Sequence, residues 1–275
     1  MRAVLAAVAV VIAFYSVVAV PVVGAMVVTP AEWWEGRTAI ISQTCVLFLG
    51  TLTASSLFVG LGWADLDMLG IRKPGKNMRG FGAGLLIGVL MACGAIGFAL
   101  MGGARLSLAS GTLSAFLTSA FWVGLVLLAA ALAEELLFRG YPIAALARAI
   151  GKFRASLVLA VLFMAAHSMN PEATVFGLLN IGLAALLLSA AFFGPGGIAA
   201  AWGLHVGWNG GLGILADAPV SGVQFQMPVV EYASGGPEWF TGGSFGPEGG
   251  MVSTIAMIAA LAWLLRNGET SERTI

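Results

Sequence analysis

Apolar runs of about 20 residues recur along this chain, each long enough to cross a lipid bilayer as a helix. No water reaches backbone groups in hydrocarbon, so helices are what such runs can form. Of the 275 residues, 59% are hydrophobic and 9% charged, where soluble domains carry about 25% charged residues. The expected fold class is all-α: a polytopic integral membrane protein of about eight transmembrane helices, with 1–275 a single membrane domain. The formal net charge is zero. That points to no nucleic acid partner and leaves the lipid bilayer as the evident one. Cys45 and Cys93 both fall inside apolar runs and imply no disulfide framework.

The spans read as Val4–Val28, Ala39–Trp63, Phe81–Met101, a fourth from Leu113 to Ala147, Ala155–Ser168, Thr174–Phe193, Gly197–Leu215 and Met251–Leu265. The first has the basic start of a signal peptide. Its apolar stretch exceeds the usual ~7–15 residues, so it reads as a retained helix. Pro142 must kink or restart the fourth span, because proline lacks a donor and clashes with the preceding turn.

With a cytosolic N-terminus, the inside segments hold Arg2, Arg72, Lys73, Lys76, Arg79, Arg148, Lys152, Arg154, Arg266 and Arg273. The other side holds only Arg37 and Arg105 among the basic residues, with Glu32, Glu35, Glu172, Asp217, Glu231, Glu238 and Glu248. This Lys/Arg bias puts both termini in the cytosol. Residues 217–250 form the one long extracytosolic loop, rich in Gly and Pro, and are expected to be mobile.

Glu134 and Glu135 interrupt the fourth span, and Arg139 follows. An ionisable group in a bilayer costs about 2.5–3.5 kcal/mol even on lenient scales, so three within two turns need a reason. Glu135 and Arg139 are i,i+4 neighbours and can pair. That leaves Glu134, about 100° round the helix, to face a cavity. The only two histidines also lie in apolar spans: His167 in Phe-Met-Ala-Ala-His, and His205 in His-Val-Gly-Trp-Asn, with Asn209 one turn on. Counted at ~1.5 Å per residue from the cytosolic ends, Glu134 lies about 20 Å deep, His167 about 18, His205 about 12 and Asn209 about 18. Ala199, Gly203, Gly207 and Gly211 make a small-residue stripe on the opposite face of the seventh span, suited to close packing.

A Glu, two His and an Asn converging in a protected cavity suit hydrolysis. Glu134 takes a proton from water as general base and His167 helps orient that water. His205 and Asn209 donate to the oxyanion of a tetrahedral intermediate. Two His and one carboxylate also form a catalytic zinc set, although the His-Glu-x-x-His motif is absent. The cofactor therefore stays open, a divalent metal such as zinc or none. Intramembrane Glu and His equally mark ion paths, so an ion- or proton-coupled transporter is one alternative. A non-catalytic membrane scaffold or immunity protein is another.

Glu134-Glu135-x-x-x-Arg139, Phe163-x-x-x-His167 and His205-x-x-x-Asn209 resemble, in order and spacing, the three motifs of the CAAX protease and bacteriocin-processing family. These are intramembrane peptidases that include the type II CAAX prenyl endopeptidases. The resemblance covers roughly 115–215, which it implies is the catalytic core. It implies catalytic roles for Glu134, His167, His205 and Asn209, with Glu135 and Arg139 supporting. It implies a glutamic or metallo-endopeptidase, a peptide or membrane-protein substrate, and an eight-helix layout in a prokaryotic cell membrane. Nothing in the chain specifies a prenyl pocket.

Overall fold

The computed structural model describes residues 1–272, with Arg37 and 267–272 described in backbone only; Arg273 lies outside the described residues. The chain is all-α apart from one short ribbon. In order it forms α1 (Arg2–Val28), α2 (Gly36–Gly60), α3 (Pro74–Met101), β1 (Arg105–Leu108), α4 (Leu113–Arg139), α5 (Tyr141–Ile150), α6 (Lys152–Ala166), α7 (Val175–Phe193), α8 (Gly197–Gly210), β2 (Val230–Ala233), a single turn α9 (Glu238–Thr241), and α10 (Met251–Glu272). Among the described residues, five helical stretches are long and apolar enough to cross a membrane: Arg2–Val28, Thr38–Gly60, Pro74–Met101, Leu113–Ile150 and Val175–Phe193. The helix α6 has 15 residues and α8 has 14, the latter extended by a π-helical turn, Gly211–Leu215. Large apolar side chains such as Leu5, Val20, Leu86 and Trp122 stay exposed on the bundle surface, as a lipid-facing wall requires.

Local chemistry sets the helix ends. Thr112 and Thr174 accept hydrogen bonds from Ala115 N (3.2 Å) and Gly177 N (3.0 Å), capping α4 and α7. Pro74 opens α3, where its missing donor is no loss. Pro142 restarts the helix rather than kinking it. The helix α4 stops at Arg139, Gly140 turns the chain, and α5 begins at Tyr141. The restart seats the Tyr141 ring 6.0 Å from Phe14 and 5.0 Å from Phe58, tying α5 to α1 and α2.

The tightest packing joins α3 to α8. A Cβ on Gly84 or Gly88 would overlap the backbone at Ala200 or Leu204, and one on Gly203 or Gly207 would overlap Phe81 or Leu85. The small-residue stripe on α8 thus meets a second glycine stripe on α3, and the two backbones touch.

Residues 217–250 differ from the expected mobile loop. They pack onto the bundle, burying Asp217, Met227, Tyr232, Thr241, Phe245 and Glu248. The strand β2 within them pairs antiparallel with β1, Arg105 opposite Ala233 and Leu108 opposite Val230. A segment without periodicity gives no sequence sign of contacts this distant.

Candidate active site

The last turns of α4 carry Glu134, Glu135 and Arg139, the end of α6 carries His167, and α8 carries His205 past its middle and Asn209 in its last turn. Glu135 is fully buried. Its Oε1 accepts from Arg139 Nη1 at 3.3 Å and from His205 Nδ1 at 2.8 Å. The i,i+4 pair expected from spacing is present, and the bond to His205 was not foreseen. Arg139, itself 1% exposed, lies with its guanidinium 4.4 Å from the Phe163 ring centroid. That cation–π contact adds a second support for the buried charge.

Glu134 points the other way. Its side chain is 23% exposed, and its Oε2 lies 3.9 Å from His167 Nε2 and 3.8 Å from His205 Nε2. Both separations exceed a direct hydrogen bond, and Oε2 has no hydrogen-bond partner among the described residues. A single water with ordinary hydrogen-bond lengths can touch this oxygen and an imidazole together.

The outer nitrogens fix the two rings. His167 Nδ1 lies 2.8 Å from Phe163 O, and a carbonyl can only accept, so Nδ1 carries a proton. His205 Nδ1 faces a carboxylate already held by Arg139, so it too carries the proton. Both imidazoles therefore present Nε2 to Glu134. That atom is an acceptor in the neutral ring and a donor only when the ring holds both protons.

Glu134, His167, His205 and Asn209 all line one cavity of 760 Å³. Asn209 makes no side-chain hydrogen bond among the described residues, so its amide is free for a ligand. Among the described residues, no group of three or more His, Cys, Asp or Glu is arranged to hold a metal ion.

Sequence reasoning missed the cavity's roof. Glu248 is 4% exposed and lines the same cavity. Its carboxylate accepts from Trp208 Nε1 (2.7 Å) and from the backbone N and Oγ of Ser221. Trp208 neighbours Asn209, so Glu248 ties residues 217–250 to the helix that carries two candidate site residues. Asn180 of α7 clamps the same segment, donating to Glu248 O (2.8 Å) and Gly250 O (2.9 Å), while Thr254 donates to its Oδ1. An asparagine inside an apolar helix was the available signal, since such residues are costly in lipid without a partner. Glu248 offered none, lying in a Gly-rich stretch that looked like any external acid.

Helices of bilayer length around a buried acid and histidine cluster define an integral membrane protein with a polar centre inside the bundle. Residues 115–211, about a third of the chain, match the family described as Type II CAAX prenyl endopeptidase Rce1-like. This stretch holds Glu134, Glu135, Arg139, His167, His205 and Asn209. The match supports assignment to the CAAX protease and bacteriocin-processing family, and with it an intramembrane CAAX-type endopeptidase. No curated protein and no solved structure matched the chain.

Proposed function

We propose that this protein is a membrane-embedded endopeptidase in which Glu134 activates the attacking water. The observation that carries the reading is one buried carboxylate oxygen, without a hydrogen-bond partner among the described residues, facing two imidazole Nε2 atoms at 3.8 and 3.9 Å. Water in that gap donates one proton to Glu134 Oε2 and is oriented by His167. Its oxygen attacks the peptide carbonyl carbon as Glu134 takes the proton. The oxyanion receives hydrogen bonds from Asn209 Nδ2 and from His205 Nε2 when that ring is doubly protonated. Glu134 then passes its proton to the leaving amine as the C–N bond breaks. Glu135 and Arg139 hold His205 in place and touch no substrate. All these roles are filled by protein groups and water.

The proposal includes eight membrane-crossing helices with both termini cytosolic, and a peptide or membrane-protein substrate. Purified protein should cleave a peptide substrate, Glu134→Ala should not, and a chelator should leave the wild-type rate unchanged. Equal cleavage by Glu134→Ala would remove the general base from the mechanism, and loss of activity to chelator would replace it with a metal-bound water. Transport in vesicles without cleavage would favour an ion path instead.

A further inference from the structure

The helix α2 turns one face toward the cavity. Gly36, Ala39, Ile40, Gln43 and Leu47 all line it, a spacing that follows a single helix face. Of these, Gln43 alone is polar, and it lies about two turns into an apolar helix. Asn170 enters from another wall, in the turn after α6, where its backbone N donates to His167 O at 3.1 Å. Neither carboxamide makes a side-chain hydrogen bond among the described residues.

The other polar groups of the lining are engaged. Glu248 bonds both Trp208 and Ser221, while Glu134, His167, His205 and Asn209 form the site. Polar side chains inside a membrane bundle are costly and mark function. In the free cavity water can serve Gln43 and Asn170, and a ligand that displaces this water must replace its bonds. A carboxamide is uncharged and offers both donor hydrogens and an acceptor oxygen. It matches a neutral group that also donates and accepts. The peptide unit is such a group, repeated along a substrate whatever its side chains. A lipid acyl chain offers neither function, and a simple cation offers no acceptor.

We propose that Gln43 and Asn170 are binding residues for the main chain of the peptide substrate, each bonding a peptide unit near the scissile one. This rests on the peptidase reading and adds to it the mode of recognition. Main-chain bonds to an extended segment give affinity without fixing its side chains. Gln43 lies outside the family-matched residues 115–211, so α2 joins the site as a substrate-binding element.

Full-length protein in detergent, a synthetic peptide pool and mass spectrometry identify one cleaved peptide. Its steady-state kinetics are then compared for wild type, Gln43→Met and Asn170→Ala. Methionine keeps the unbranched shape of glutamine and suits an apolar helix. Each variant should lower kcat/KM by roughly 2- to 13-fold, the range for one neutral hydrogen bond, with the loss carried by KM. Melting temperatures should match wild type, and a folding defect would lower kcat instead. Esters replacing single amides beside the scissile bond separate main-chain bonding from shape, since each removes one N–H. At one position the ester should raise KM for wild type and add nothing in the variant that lacks its partner. An unchanged KM in either variant would remove that residue, and additive effects at every position would overturn main-chain recognition; both leave the peptidase reading standing. A pool left uncut by wild type would fail the peptidase reading itself, and this inference with it.

Discussion

Glu135→Gln separates the two adjacent carboxylates most sharply. Glu135 is 0% exposed and holds two partners, Arg139 at 3.3 Å and His205 at 2.8 Å. The amide keeps the volume and removes the charge, leaving Arg139 buried and uncompensated. Breaking a buried pair in this way costs about 3–5 kcal/mol, of the order of a typical domain's whole stability of ~5–15 kcal/mol. A second effect acts on the reaction. The amide oxygen still accepts from His205 Nδ1, but a neutral bond is about 1–1.5 kcal/mol weaker than a charge-assisted one. Molecules that do fold should therefore turn over roughly 5- to 13-fold more slowly. Glu134→Gln should behave in the opposite manner. Its Oε2 has no hydrogen-bond partner among the described residues to strand, so stability should move by less than about 0.5 kcal/mol. Loss of the base should lower turnover by about 10²–10⁴-fold. Thermal unfolding in detergent and peptide cleavage, measured on both variants, read the two effects. A Glu135→Gln protein as stable as wild type but inactive, beside an active Glu134→Gln, would show the roles to be reversed.

Asn209→Ala should slow turnover by about 10²–10³-fold, the usual cost of one oxyanion donor. Thermal stability should hold, since the side chain bonds nothing among the described residues; an unchanged rate would remove Asn209 from the mechanism. Glu248→Ala strands Trp208 Nε1 and both Ser221 donors, a cost of about 1–3 kcal/mol for a buried group left unpaired. Limited proteolysis should then cut within 217–250 faster than in wild type, and identical digestion would refute the clamp. Burial lifts the Asp217 carboxyl above its ordinary value, while bonds from Met227 N (2.9 Å) and Gln224 Nε2 (3.2 Å) oppose the shift. A value higher in the fold than in the unfolded chain means stability is fully present below the unfolded value and is lost as pH rises through the folded one. Asp217→Asn cannot ionise and tolerates the positive φ of 52°. Its melting temperature should gain on wild type as pH rises from about 3.5 to 7, and a constant difference would contradict the assignment.

Much of the centre was legible because lipid makes polar groups conspicuous. Glu134, His167 and His205 each stand out against apolar neighbours, and each reaches the same cavity. Pro142 likewise marks a helix end through a local rule that needs no tertiary knowledge. The spacing rule found the Glu135–Arg139 pair. It could not find the bond from Glu135 to His205, which joins residues 70 apart in sequence and depends on how α8 is rotated against α4. The glycine contact between α3 and α8 sets how α8 sits, and the regular spacing on α8 marks only one half of it. Residues 217–250 were least legible. Their order depends on single long-range bonds, such as Asn180 to Glu248 across 68 positions, and such bonds leave no periodic trace.

The helix break at Pro142 explains why the charged cluster sits where it does. Ending α4 at Arg139 places a cation in the last turn, where the exposed carbonyls of a helix C-terminus carry partial negative charge. That same end disfavours the two carboxylates one turn earlier. Arg139 offsets that cost by bonding Glu135, with the Phe163 ring on its other face. Phe163 also supplies the carbonyl that fixes His167 Nδ1, so one residue supports the buried cation and sets the tautomer of a site imidazole. Glu135 is thereby engaged by Arg139 and His205, and Glu134 is left as the carboxylate of the pair that lines the cavity.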